Sequence, residues 1–184
     1  MRFTRATFIP QILLQPLGSV DAIVLAQLPE PLEEAFGLPV TVKPARALPA
    51  HAYDAGRRQY RSTDLLECLS NSLPMRTLGV VAVDLYASGL NFVFGEADPG
   101  RGVAVVSLWR LQARAGEPES LSIERAVKEA VHELGHAFGL NHCRQAACVM
   151  QFSNSLAEAD AKQAQLCTRC QKELQRRLAA LTAR

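Results

Sequence analysis

The sequence has no run of five or more like charges, and its 20 basic against 18 acidic residues leave a formal net charge of only +2. Such a balance gives no footprint for a phosphate backbone or an anionic bilayer, so neither nucleic acid nor membrane is an expected partner. No uninterrupted stretch approaches the roughly 20 apolar residues of a membrane span. The opening MRFTRATFIPQILLQPLGSV begins basic and turns apolar, but Pro10, Gln11, Gln15 and Pro16 interrupt it and no small-residue cleavage site follows. It therefore reads as a first strand, not as a secretion signal. Internal repeats and low-complexity segments are absent too. Without export or anchoring signals the expected location is the cytoplasm, where thiols stay reduced and clustered cysteines bind metal more often than they pair.

What is present is ordinary globular composition, 48% hydrophobic and 21% charged over 184 residues, enough for a single packed domain. The pattern along the chain is α/β. Residues 8–17 predict a strand, 19–36 a helix broken or kinked by Pro29 and Pro31, and 40–43 a second strand after a stop at Gly37. Together these make a βαβ unit with parallel pairing and a right-handed crossover. Residues 53–69 predict a second helix with Leu65, Leu66 and Leu69 on its apolar face, ending before Asn71 and Pro74. Strands follow at 78–85, 91–95 and 103–111. The turn-rich ADPGRG at 97–102 makes the last two antiparallel neighbours, so the expected sheet is mixed. A loop at 115–119 precedes a helix starting near Ser122, with Glu124 in its first turn. On that helix Ile123, Val127, Ala130, Val131, Leu134 and Phe138 recur as one apolar stripe.

Histidine is scarce. There are four in the chain, yet three of them, with two of the five cysteines, lie in HELGHAFGLNHCRQAACVM, residues 132–150. At about 100° per residue, His132 and His136 fall opposite the apolar stripe and stand roughly 6 Å apart along the axis, close enough to hold one ion. Glu133 is rotated by about 100° from His132, placed to act as a base on metal-bound water and not as a ligand. Gly139 can adopt the positive φ that stops a helix and returns His142 as a third ligand. Three neutral imidazoles leave an open position for water, the arrangement of a catalytic zinc. The extension to HExxHxxGxxH followed by Met150 is the metzincin signature. A thioether is a poor zinc ligand, so Met150 is expected to pack beneath the site.

Cys143, Cys148, Cys167 and Cys170 follow the spacing C-x4-C-x18-C-x2-C, suited to a closed tetrahedral thiolate site for a structural zinc. Disulfide pairing is the alternative. In an extended segment neighbouring side chains diverge, so His142 can face one ion while Cys143 faces the other. Blander readings apply elsewhere. Cys68 reads as a buried thiol, His51 as a solvated side chain, and Trp109 and Tyr86 as core or cleft wall. The basic KELQRRLAALTAR, residues 172–184, reads as a helix with a solvated face.

On HELGHAFGLNHC, CVM and CTRC the chain resembles the archaemetzincins, small zinc peptidases of the metzincin clan. RRQYRSTDLLECL, VDLYASGLNFVFGEA, VVSLWRL and ERAVKEAVHELGH are similar to family segments as well, so the likeness spans about residues 57–174 and weakens over the first 50. The resemblance implies an α/β (α+β) metzincin-like fold: a mixed twisted sheet with an antiparallel edge strand, an active-site helix packed on it, and a small C-terminal helical zinc-bound subdomain. Residues 1–184 would form one catalytic domain, with 1–139 ending in the active-site helix and 140–184 carrying the third histidine, the methionine turn and the four cysteines. By the same resemblance His132, His136 and His142 would bind catalytic zinc, Glu133 would be the base, and the cysteines would hold a second zinc, two Zn2+ per chain. The expected activity is hydrolysis of peptide bonds by a monomer, with an extended peptide laid along the 91–95 strand. A catalytically inactive zinc-binding interaction protein built on the cysteine unit is the alternative, and the intact Glu133 speaks against it.

Overall fold

A computed structural model describes residues 10–69 and 75–182. Five strands form the main sheet: β1 (Ile12–Leu17), β2 (Val40–Val42), and later β5 (Arg76–Val81), β7 (Gly95–Asp98) and β8 (Val103–Ser107), in the order β2-β1-β5-β8-β7. All pair in parallel except β7, which lies antiparallel to β8 at the edge. Parallel strands covered on both faces should be apolar on both. Ile12, Leu14, Leu78, Val80, Ala104 and Val106 point to one core, and Leu17, Val81, Val103 and Val105 to the other. The first core is roofed by α2 (Pro29–Phe36) and the long helix α4 (Ser120–Ala137), the second by α3 (Ser62–Cys68) through Leu65 and Leu66.

Several elements differ from the sequence-based expectation, each for a local reason. The helix over 19–36 is two helices, α1 (Ala22–Ala26) and α2, because Pro29 and Pro31 fall in the first turn of α2, where a missing N–H leaves no helical bond unmade. Residues 53–69 are not one helix. Tyr53 and Tyr60 pair across a short hairpin of β3 (Tyr53–Asp54) and β4 (Gln59–Arg61), their rings 5.0 Å apart, and only then does α3 begin. The turn between them uses Arg58 at a φ of 56°, with the Asp54 carboxylate accepting from Arg57 N–H at 3.0 Å. β4 also pairs with β6 (Leu85–Tyr86), making a second, three-stranded sheet.

The edge strand is Gly95–Asp98 and not 91–95, and the last strand ends at Ser107, giving way to a 3-10 turn over Trp109–Leu111. Helix α4 starts at Ser120. Ser122 is no cap, because its hydroxyl accepts from Ala113 N–H at 2.7 Å and fastens the preceding loop. Trp109 is 55% exposed and belongs to neither core nor cleft, and Cys68 is only half-buried. The start of the first expected strand and the stop at Asn71 and Pro74 lie outside the described residues.

After α4 the chain continues through α5 (Leu156–Ala161) to α6 (Thr168–Thr182). Leu140, Val149, Met150 and Leu174 enter the same core as the stripe of α4. Among the described residues no helix is long and apolar enough to cross a membrane. The polar side of α4 is fastened to α5 by Arg125, whose side chain is 1% exposed. Its guanidinium grips both oxygens of Asp160 at 2.7 Å and donates to Glu117 at 2.9 Å.

Hydrogen bonds from Arg125 hold the carboxyls of Asp160 and Glu117 below their ordinary range. A depressed folded pKa contributes stability that is present above the unfolded carboxylate range and is lost as pH falls through the folded values. Asp160→Asn should therefore cost about 2 kcal/mol at neutral pH. It should also lose less further stability than wild type on acidification from about pH 6 to pH 3. Urea melts at a series of pH values check this, and equal stability of the two proteins at neutral pH would contradict it.

Candidate metal centres and the cleft between them and the edge strand

His132, Glu133 and His136 lie on the last two turns of α4, opposite its apolar stripe. Val131, Leu134 and Phe138 are buried in the core, while the histidines and Glu133 line a cleft of about 600 Å³ closed by Gly95, Phe92 and Phe152. The helix stops as its sequence suggests. Gly139 takes a φ of 89°, its N–H bonds His136 O at 2.8 Å, and Leu140 N–H reaches back to Gly135 O at 2.9 Å. This paired closure around a left-handed residue reverses the chain within two residues and returns His142 to the cleft. The rings of His132, His136 and His142 then stand 4.7 to 5.3 Å apart, centre to centre.

Two imidazoles are oriented by main-chain carbonyls. His132 Nδ1–H donates to Val149 O and His136 Nδ1–H to Leu140 O, both at 2.8 Å. That fixes the tautomer and leaves each Nε2 as an acceptor aimed at the same point, the two atoms 3.1 Å apart. Around a tetrahedral zinc with bonds of about 2.0–2.1 Å, neighbouring nitrogens lie roughly 3.3 Å apart. Burial, joined by the nearby positive charge of Lys162, pushes His132 well below the usual imidazole range, and burial likewise lowers His136 and His142. They are held neutral, the form a metal requires. Burial, reinforced by the Glu129 carboxylate, pushes Glu133 well above the ordinary carboxylate range.

Close contacts on both sides of α4 set its height over the sheet. A Cβ on Gly95 would sit 2.5 Å from Glu133 Cγ and from Val105 O, so only glycine lets Glu133 lie against the edge strand. On the other side Met150 is fully buried with its Sδ against Gly135, as expected of a side chain that packs beneath the histidines. Cys143 N–H donates to Met150 O at 2.8 Å and closes that turn.

The four cysteines form a second cluster beside the first. Cys143 Sγ lies 3.8 Å from Cys167 Sγ, and Cys148 Sγ lies 3.7 Å from Cys170 Sγ. A disulfide would need about 2.05 Å. The edge of a tetrahedron of sulfurs at zinc, with bonds of about 2.3 Å, is roughly 3.8 Å. The donor set thus fits a closed zinc site. Burial opposes ionisation of Cys167, but the Cys170 N–H and neighbouring thiols outweigh it and bring the group to about 7. Each cluster has one donor atom per residue within 4.8 Å of the others.

The three histidines and four cysteines singled out in the motifs are therefore brought into two clusters, with Glu133 on the wall of the same cleft as the histidines. What the motifs did not single out is Glu129, one turn before Glu133 on the cleft wall, and Lys162, which pairs with it at 2.9 Å. Neither lies at a motif position.

The fold and the two clusters are those of a zinc metallopeptidase with metzincin-like architecture, an enzyme that acts on peptide bonds. A profile of Peptidase family M54 matches residues 57–176. The archaemetzincin of Pyrococcus furiosus is 44% identical over 91% of this chain and 93% of its own length. The crystal structure of the Archaeoglobus fulgidus archaemetzincin complexed with malonate is similar with a TM-score of 0.81 at 44% identity, covering 89% of this chain and 99% of that one. That of the Methanopyrus kandleri archaemetzincin has a TM-score of 0.81 at 40% identity, covering 97% and 99%. The chain belongs to the archaemetzincin family.

Gly95→Ala should displace either the edge strand or Glu133. A shift of about 1 Å near reacting groups costs up to roughly 100-fold in rate. Peptidase assays paired with circular dichroism should show a loss approaching that size in a folded protein, whereas wild-type activity would contradict the close-contact reading.

Proposed function

We propose that His132, His136 and His142 hold a catalytic zinc ion, that Glu133 is the general base, and that Cys143, Cys148, Cys167 and Cys170 hold a second, structural zinc, giving two Zn2+ per chain. The observation that carries this reading is the donor spacing, 3.1 Å between imidazole nitrogens and 3.7 to 3.8 Å between sulfurs, each near the edge of the matching zinc tetrahedron. Bound in the histidine set, zinc would supply a Lewis acid for the scissile carbonyl and lower the pKa of a water from 15.7 to about 7. Glu133 takes the proton of the attacking water and returns it to the amine nitrogen as the C–N bond breaks. Burial raises the proton affinity of its carboxylate, which strengthens it as the acceptor in that transfer. An inactive interaction module would have no use for a carboxylate in that position.

The edge strand is the element best placed to align a substrate. Ser107 N–H donates to Phe94 O across the β7–β8 ladder, so by strand alternation the backbone groups of Gly95 and Ala97 turn away from β8. Both residues line the cleft. An extended peptide can add there as a further strand, recognised by its main chain more than by its side chains.

The test compares wild type, Glu133→Ala and Cys167→Ser on a broad peptide library, with zinc content and thermal melting measured in parallel. Glu133→Ala should keep both metals and the fold yet lose roughly 100- to 10,000-fold in kcat. Cys167→Ser should melt at a lower temperature, since a structural zinc contributes directly to folding free energy. An unfolded or metal-free Glu133→Ala protein would contradict the base assignment, and an unchanged melting temperature for Cys167→Ser would contradict the structural site.

A further inference from the structure

Glu129 on the cleft wall belongs to an ion pair that the proposed chemistry does not use. Lys162 and Glu129 have side chains 1% and 3% exposed and meet at 2.9 Å. Beyond that ion contact Glu129 Oε1 has no hydrogen-bond partner among the described residues. Removing two charges from water costs several kcal/mol per ion, and a buried pair often stabilises no more than apolar residues of the same shape. Its place in the structure suggests what else it does. Lys162 Nζ lies 3.4 Å from Gln151 O and 3.5 Å from His132 Nδ1. Nδ1 already gives its proton to Val149 O, so the ammonium cannot bond it. Lys162 instead joins Glu129, one turn before His132 and Glu133 on α4, to the carbonyl of Gln151, two residues past the carbonyl that orients His132.

We propose that Lys162 is a positioning residue, acting with Glu129 as a buried clamp that fixes the 149–151 segment against α4 and so sets the orientation of His132. The inference rests on the reading of the histidine set as a metal site. Arg125 and Lys128 bind Asp160 and so tie α4 to α5, but among the described residues no other charged pair reaches the segment that carries Val149 O. Outer partners of a metal-binding histidine govern its orientation, and losing them typically costs 10- to 100-fold in metal affinity or activity.

The test uses full-length Lys162→Met, Glu129→Gln and the double variant, the double because it leaves no unpaired buried charge and is the variant surest to fold. The readouts are kcat and KM separately, zinc affinity against a competing chelator, thermal melting, and the d–d absorption of Co2+ in the histidine set. Lys162→Met should lose roughly 10- to 100-fold in kcat, with KM within about twofold, weaker metal binding and shifted Co2+ bands. The double variant should regain melting temperature but not kcat or the wild-type Co2+ spectrum. Recovery of all three in the double variant would reduce the pair to charge balance and overturn the proposal, as would wild-type kcat and spectrum in folded Lys162→Met. A wild-type protein whose histidine set takes up neither zinc nor Co2+ would overturn the metal-site reading and this inference together.

Discussion

Helix α4 is buried on both sides, and that constraint organises the molecule. One side is apolar and pays for the arrangement by removing Ala130, Val131 and Leu134 from water against the sheet. Truncating one such leucine would cost about 2–5 kcal/mol. The other side carries Arg125, Glu129, His132 and Glu133, which are scarcely more exposed. A polar group is dry at low cost only where it has a partner; Glu117 and Gln112 O reach Arg125 from upstream, and the other partners come from downstream. Asp160, Lys162, Val149 O and Leu140 O all lie in the segment that follows the helix. The segment after residue 139 therefore completes the helix that precedes it.

This dependence explains why the two donor clusters sit side by side. The closure at Gly139 returns His142 to the cleft, and the next residue, Cys143, faces the other cluster, where it meets Cys167 from the start of α6. Any group that fixes the four sulfurs also fixes the chain on both sides of Met150, and with it the carbonyl that orients His132. On the opposite flank Gly95 allows the edge strand to approach Glu133. The position of Glu133 is thus set from the sheet and that of the histidines from the C-terminal segment.

The motifs were legible because their geometry is local. An i, i+4 pair on an amphipathic helix, a glycine three residues on and a methionine after a cysteine carry their own distances, and the structure brings together the three histidines and the four cysteines that they pointed to. The turn-rich 97–102 likewise revealed the hairpin, though the strand before it begins four residues later than expected, because Phe92 and Phe94 alternate like a strand while packing edge to face at 5.4 Å in irregular chain. The hairpin within 53–69 was missed because Leu65, Leu66 and Leu69 supply a helical stripe to a segment whose first half is decided by a tyrosine pair and a turn. Lys162 was illegible for a different reason. Its partner lies 33 positions upstream, and nothing local distinguishes a lysine that will be buried from one that stays in water.

The most direct test of the account is the location of metal in crystals of the purified protein, by anomalous scattering measured on both sides of the zinc absorption edge. The account predicts two peaks per chain, one equidistant from His132, His136 and His142 and one enclosed by Cys143, Cys148, Cys167 and Cys170. A single peak, or a histidine set without zinc in protein that cleaves peptides, would contradict it.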